Sequence, residues 1–77
     1  MQPIENHFGA AVRRHRLRQK LSQEDFADLA GIHRTYVSSI ELGKVRVSIG
    51  VAQQVAATLK VPLSRIFREI EAEQAKD

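Results

Sequence analysis

The sequence contains no cysteine, which excludes disulfides and cysteine-ligated metal sites. Its apolar runs are only a few residues long, too short to cross a membrane. The opening residues, MQPIENHFGA, lack the charged start and apolar stretch of a secretory signal, so a cytoplasmic location is expected. Turn dipeptides such as Asn-Gly are missing, and Val, Ile and Leu rarely alternate with polar residues. Both absences disfavour strands and hairpins. There is no internal repeat and no low-complexity segment. His7, His15 and His33 have no regular metal-ligand spacing. The acidic residues Glu24, Asp25 and Asp28 lack a partnering nucleophile or base. No metal, no cofactor and no catalysis are expected.

What remains is a chain of 77 residues with net charge +3, the size of one domain with a small core. A single domain over 1–77 is expected, with an ordered core at 4–70 and a frayed tail at 71–77. The charge is unevenly spread. Residues 1–20 hold Arg13, Arg14, Arg16, Arg18 and Lys20 against Glu5 alone, and residues 44–60 hold Lys44, Arg46 and Lys60 with no acid. Glu24, Asp25 and Asp28 lie between them, and the tail from Glu69 is mostly acidic. Two basic segments brought to one face attract polyanions; the same residues also suit a plain solvated surface.

Helical spacing divides the chain into five windows. Helix 1 covers roughly 4–19, with Phe8, Val12 and Leu17 on a narrow apolar side and Ala11 beside them. Ser22 can cap helix 2, whose Glu24 and Asp25 suit the positive end of the helix dipole. Phe26, Ala27, Leu29 and Ala30 supply its buried side, and Gly31 ends it. Only Gly31 and Ile32 separate it from helix 3 at about 33–41. So short a glycine-containing joint between two short helices is the helix-turn-helix pattern. Gly43 closes helix 3, Ser48 caps helix 4, and Ala52, Val55, Ala56 and Leu59 give that helix its apolar side. Val61 and Pro62 break the chain before helix 5.

Helix 3 is the informative segment. At about 100° per residue, Arg34, Ser38, Thr35 and Ser39 share one arc of about 140°, with Val37 and Ile40 opposite. The polar arc carries one arginine and three short hydroxyl side chains instead of the usual lysines and glutamates. Arginine can donate two parallel hydrogen bonds to guanine, and Thr and Ser offer short donors and a methyl for thymine. Such a face can enter a major groove about 12 Å wide. Tyr36 lies at the edge of the buried arc, where its ring would pack on the core with the hydroxyl near phosphate.

LSQEDFADLAGIHRTYVSSIELGK, together with Phe-Gly-x-x-Val-Arg-x-x-Arg at 8–16, resembles the DNA-binding domain of Cro- and CI-type regulators. The likeness runs over residues 8–67. Within that family, His-Arg-Thr-Tyr-Val-Ser-x-Ile-Glu at 33–41 is most similar to restriction–modification controller proteins, which are small dimeric helix-turn-helix proteins. The resemblance implies an all-α, five-helix, lambda-repressor-like fold with helix 3 as recognition helix. It places Arg34, Thr35 and Ser39 at base edges, with Ser38 close by. It places Ser22 and Gln23 on phosphate, in keeping with the free amides of a helix N-terminus. Lys44 and Arg46 match a backbone-contacting loop, whose cations add affinity through counterion release. His33 would cap helix 3 or meet phosphate. Arg16 and Glu41 match a partly buried ion pair between helices 1 and 3. Four positions depart from the family: Lys20 and Lys60 stand where glycine is common, Leu42 where Asn or Arg often contacts the backbone, and Val47 where proline is common.

Leu63, Ile66, Phe67 and Ile70 form a stripe on helix 5 that either fills the core or meets a second copy. A helix of this length against so small a body is expected to leave Ile66, Phe67 and Ile70 to a dimer interface. A symmetric pair reading half-sites about 34 Å apart would double the sequence read. The expected function is therefore transcription regulation by a homodimer on an inverted-repeat operator of double-stranded DNA, with no membrane and no small-molecule effector. The alternative is an antitoxin-type protein-interaction module with secondary DNA binding; a small nuclease is a weaker rival for want of a catalytic cluster.

Overall fold

A computed structural model of the chain describes residues 2–76. It contains five helices in order, α1 (Ile4–Arg18), α2 (Gln23–Ala30), α3 (Arg34–Glu41), α4 (Ile49–Thr58) and α5 (Leu63–Gln74), and no strand among the described residues. The architecture is the all-α, five-helix one expected. α2 and α4 begin on serine caps. Ser22 Oγ accepts from the Asp25 amide at 2.9 Å and Ser48 Oγ from the Val51 amide at 3.0 Å, each satisfying a first-turn donor that has no partner within the helix. α1 and α5 instead follow Pro3 and Pro62, whose rings hold the chain extended at the point of entry.

Four helix ends close in the same way. One residue turns left-handed, and the next amide reaches back to the carbonyl five residues earlier: Leu21 to Arg16 at 3.2 Å, Ile32 to Ala27 at 3.0 Å, Lys44 to Ser39 at 3.0 Å and Val61 to Ala56 at 3.1 Å. The left-handed residues are Gly31 and Gly43 at φ 71° and 72°, and Lys20 and Lys60 at φ 59°. Glycine takes that geometry without penalty, whereas a side chain costs about 1–2 kcal/mol there.

The helices pack as a ring, each chiefly on two others, in the order α1, α5, α4, α2, α3 and back to α1. Inside it lie Phe8, Ala11, Val12, Phe26, Ala27, Ala30, Val37, Ile40, Ala52, Val55, Ala56, Leu59, Ile66 and Ile70. α1 and α3 approach most closely at Gly9, where a Cβ would collide with the Ile40 carbonyl oxygen and sit 2.8 Å from that of Glu41.

Three expectations need correction. Leu17 and Leu29 are 51 % and 66 % exposed. The α1 stripe runs instead through Phe8, Val12, His15 and Arg16, and the α2 stripe through Phe26, Ala27 and Ala30. Ile66 and Ile70, assigned to a dimer interface, are 0 % and 1 % exposed within the single chain. Lodged between α1 and α4, α5 turns these two inward, so they have no surface left for a second copy; Phe67, on the other side, is exposed. The tail was expected to fray from 71, but α5 runs on to Gln74; Met1 and Asp77 lie outside the described residues.

Candidate nucleic-acid interface

The joint between α2 and α3 holds only Gly31, Ile32 and His33. Ile32 packs on the core, so the two helices cross with little slack. Val37 and Ile40 face inward at 0 % and 2 % exposure. Opposite them, Arg34 and Thr35 are exposed, while Ser38 and Ser39 are half-buried. Tyr36 is half-buried against the core. His33 occupies the N-cap position of α3 and is exposed, but its side chain makes no cap hydrogen bond.

α3 is fastened to the rest of the molecule by its last residue. Glu41 takes Arg16 as a two-pronged partner: Nε donates to Oε2 at 2.6 Å and Nη2 to Oε1 at 3.0 Å. The side chains are 8 % and 2 % exposed. Arg16 Nη1 donates to the Leu21 carbonyl at 2.7 Å, which secures the α1–α2 joint as well. Two parallel charge-assisted bonds fix both angle and distance, so α1, α2 and α3 are locked through one guanidinium.

Gln23 extends this lock toward solvent. Its Nε2 donates to Glu41 Oε1 at 3.1 Å, and its Oε1 lies 3.5 Å from Arg34 Nη1. A carboxylate only accepts hydrogen bonds, so Glu41 sets which way the amide points. Sequence reasoning gave Gln23 to phosphate alone; nothing in the residue order reveals the link to Glu41.

The remaining sites ascribed to phosphate contact lie at the rim. Ser22 is exposed at the start of α2, and Lys44 and Arg46 are exposed in the loop after α3. Arg46 is 94 % exposed, with its Nε 3.8 Å from Glu5 Oε2, a contact too solvated to hold the side chain. Nearby, Asn6 leaves no room for a Cβ on Gly43, so this loop starts from a fixed point. Among the described residues, no group of three or more His, Asp or Glu side chains could hold a metal ion, and no helix is long and apolar enough to cross a membrane.

Comparison with known proteins supplies the assignment. Residues 12–66 match the family described as Helix-turn-helix. The chain belongs to the Cro/CI-type helix-turn-helix family. Control protein C.MunI of Mycoplasma sp is 40 % identical over 74 residues, spanning 95 % of this chain and all of that protein. The solved structure of the restriction-modification controller protein C.AhdI from Aeromonas hydrophila is 32 % identical, covering 80 % of this chain and 94 % of that one with a TM-score of 0.77. The clp gene regulator ClgR from Corynebacterium glutamicum is similar in fold, with a TM-score of 0.91 at 22 % identity over 96 % of this chain and 79 % of that one. This helix-turn-helix protein is thus a DNA-binding transcription regulator with the lambda-repressor-like fold.

One cluster outside the helix-turn-helix went unread in the sequence. His15 is 5 % exposed, and its Nε2 lies 3.1 Å from both oxygens of Glu69 on α5. Arg14 Nη2 donates to Glu69 Oε1 at 2.7 Å, and Arg65 Nε lies 3.6 Å from Oε2. Burial alone would raise the Glu69 pKa, but the hydrogen bonds and fields of Arg14 and His15 outweigh it and hold the carboxyl below its ordinary value of 4.5. The signal was present: His15 sits two turns from Phe8, on the buried stripe.

Proposed function

We propose that this protein is a restriction–modification controller that binds an inverted-repeat operator as a homodimer, with α3 in the major groove. The observation that carries the reading is the outward arc of Arg34 and Thr35, with Ser38 and Ser39 beside it, on a helix whose other side is pinned by Val37, Ile40 and Glu41. Arg34 reads guanine, and Thr35, Ser38 and Ser39 make the shorter contacts. Ser22, Gln23, His33, Tyr36, Lys44 and Arg46 meet the backbone and set the register. The control and controller names of C.MunI and C.AhdI support the regulatory role. The reading needs no cofactor and no effector, and puts the protein with its operator in the cytoplasm.

The second copy joins through a different surface from Ile66 and Ile70. Phe67 at 37 % exposure, Ile4 at 45 % and Ile49 at 83 % rim one apolar cleft floored by Phe8 and Ala52. Val47 and Ser48, also on this cleft, follow directly on the Lys44–Arg46 loop. A two-fold axis beside that loop would turn both α3 helices toward one duplex.

Selection of bound duplexes from random DNA tests the reading. An inverted repeat with half-sites one helical turn apart is expected, and recovery of no preferred sequence would defeat it. On a panel of mutated operators, Arg34→Ala should relax preference at one base position by about 1–3 kcal/mol. Ile49→Asp should move sedimentation toward monomer and weaken operator binding; an unaffected dimer would remove the cleft from the interface.

A further inference from the structure

Two of the four left-handed helix ends carry lysine, and a hydrogen bond joins the residues just before them. Lys20 closes α1 and Lys60 closes α4, both at φ 59°. Gln19 Nε2 donates to the Leu59 carbonyl at 2.6 Å, so the residue before one lysine grips the residue before the other. Both lysines are exposed, and neither forms an ion pair with a described residue. No acid lies between Arg13 and Gln23 or between Lys44 and Arg65 in the sequence. The α1–α2 and α4–α5 joints therefore share a basic corner in which glycine would relieve the backbone twice.

At its Lys20 end the corner adjoins the N-terminus of α2. Lys20 stands two residues before Ser22, at most about 7 Å along the chain, and Ser22 opens the α2 N-terminus. A lysine ammonium is a mobile point charge suited to phosphate rather than to a base edge. We propose that Lys20 and Lys60 form an outer clamp on the DNA backbone, gripping phosphates that flank the half-site read by α3. This rests on the reading of α3 given above. The clamp adds affinity and salt dependence but no sequence preference, because phosphates are the same at every position. It also accounts for lysine standing at two backbone positions that disfavour it.

The test is the Lys20→Gly/Lys60→Gly double variant, since glycine keeps the left-handed turns and removes only the cations. The probe is a duplex recovered by wild-type selection from random-sequence DNA. The variant should melt at the same temperature or higher. Its log K against log salt should be shallower by about 0.9 per lysine, about 3.6 for the four lysines of the dimer, so that from 50 to 200 mM salt the wild type loses about 150-fold more affinity. Base preference on the mutated-operator panel should stay as in the wild type. Trimming the duplex to the half-sites should erase the difference between variant and wild type. Unchanged affinity and slope would overturn the clamp while leaving the α3 reading intact. A lower melting temperature would overturn it too, by showing that the lysines serve the helix ends. Wild-type protein that selects no sequence would take down the α3 reading, and the clamp with it.

Discussion

Arg14, His15 and Arg16 are consecutive, yet they serve two carboxylates in very different settings. Arg16 turns toward α3 and meets Glu41 with both side chains almost wholly buried. Arg14 and His15 turn toward α5 and meet Glu69, whose side chain is 25 % exposed, as is 35 % of that of Arg14. Both clusters tie α1 to another helix through short hydrogen bonds. They differ in what water can do when a partner is lost. Around Glu69 it can enter and solvate the remaining charge, whereas around Glu41 it cannot. The energetic weight of an ion pair here follows from access to solvent, and its geometry alone does not disclose it. The helix bound by the unforgiving pair is α3, the one proposed to read DNA.

The largest effect that would sharpen this contrast is Glu41→Ala. It strands the Arg16 guanidinium in the interior and should cost about 3–5 kcal/mol in chemical denaturation, along with the Gln23 contact. A loss below about 1 kcal/mol would mean that water reaches Arg16 and would erase the distinction. Next comes Glu69→Gln, expected to cost no more than about 1 kcal/mol, since the pair is partly solvated. Smallest is the effect of acid. The folded Glu69 carboxyl is held below its ordinary value of 4.5, so its contribution is present above that value. It fades as pH falls through the lower, folded pKa. Wild-type stability should therefore drop more steeply than that of Glu69→Gln below about pH 4.5. Parallel curves for the two proteins would show that Glu69 contributes nothing through its charge.

The parts legible in the sequence were those where residue identity and spacing agreed. On α3, two apolar residues in a short helix leave one possible inward side, and Val37 and Ile40 occupy it. On α4 the run Ala52, Val55, Ala56, Leu59 is unambiguous, and all four are buried. Misreadings arose where identity was weighed above spacing. Leu17 and Leu29 looked like core residues because they are leucines, although they fall off the stripes set by Phe8 and Val12 and by Phe26 and Ala30. His15 completes the α1 stripe but looks like surface, because a buried imidazole is credible only once the distant Glu69 is supplied; the Arg16–Glu41 pair was expected only through the family resemblance. Ile66 and Ile70 were misassigned because helix length was compared with body size. α5 lies between two helices, and that trough takes in one narrow side of it, leaving Phe67 outside. The links from Gln23 to Glu41 and from Gln19 to Leu59 span 18 and 40 residues; no local pattern announces contacts of that range.

Gly9 carries a mechanical consequence. With no side chain between them, the backbones of α1 and α3 bear directly on each other, like a shaft on a bare journal. A bulkier neighbour elsewhere on α1 would then tilt α3 instead of being absorbed by an intervening side chain. If α3 reads the operator as proposed, changes along α1, away from the α3 surface, are a route by which operator choice can be retuned.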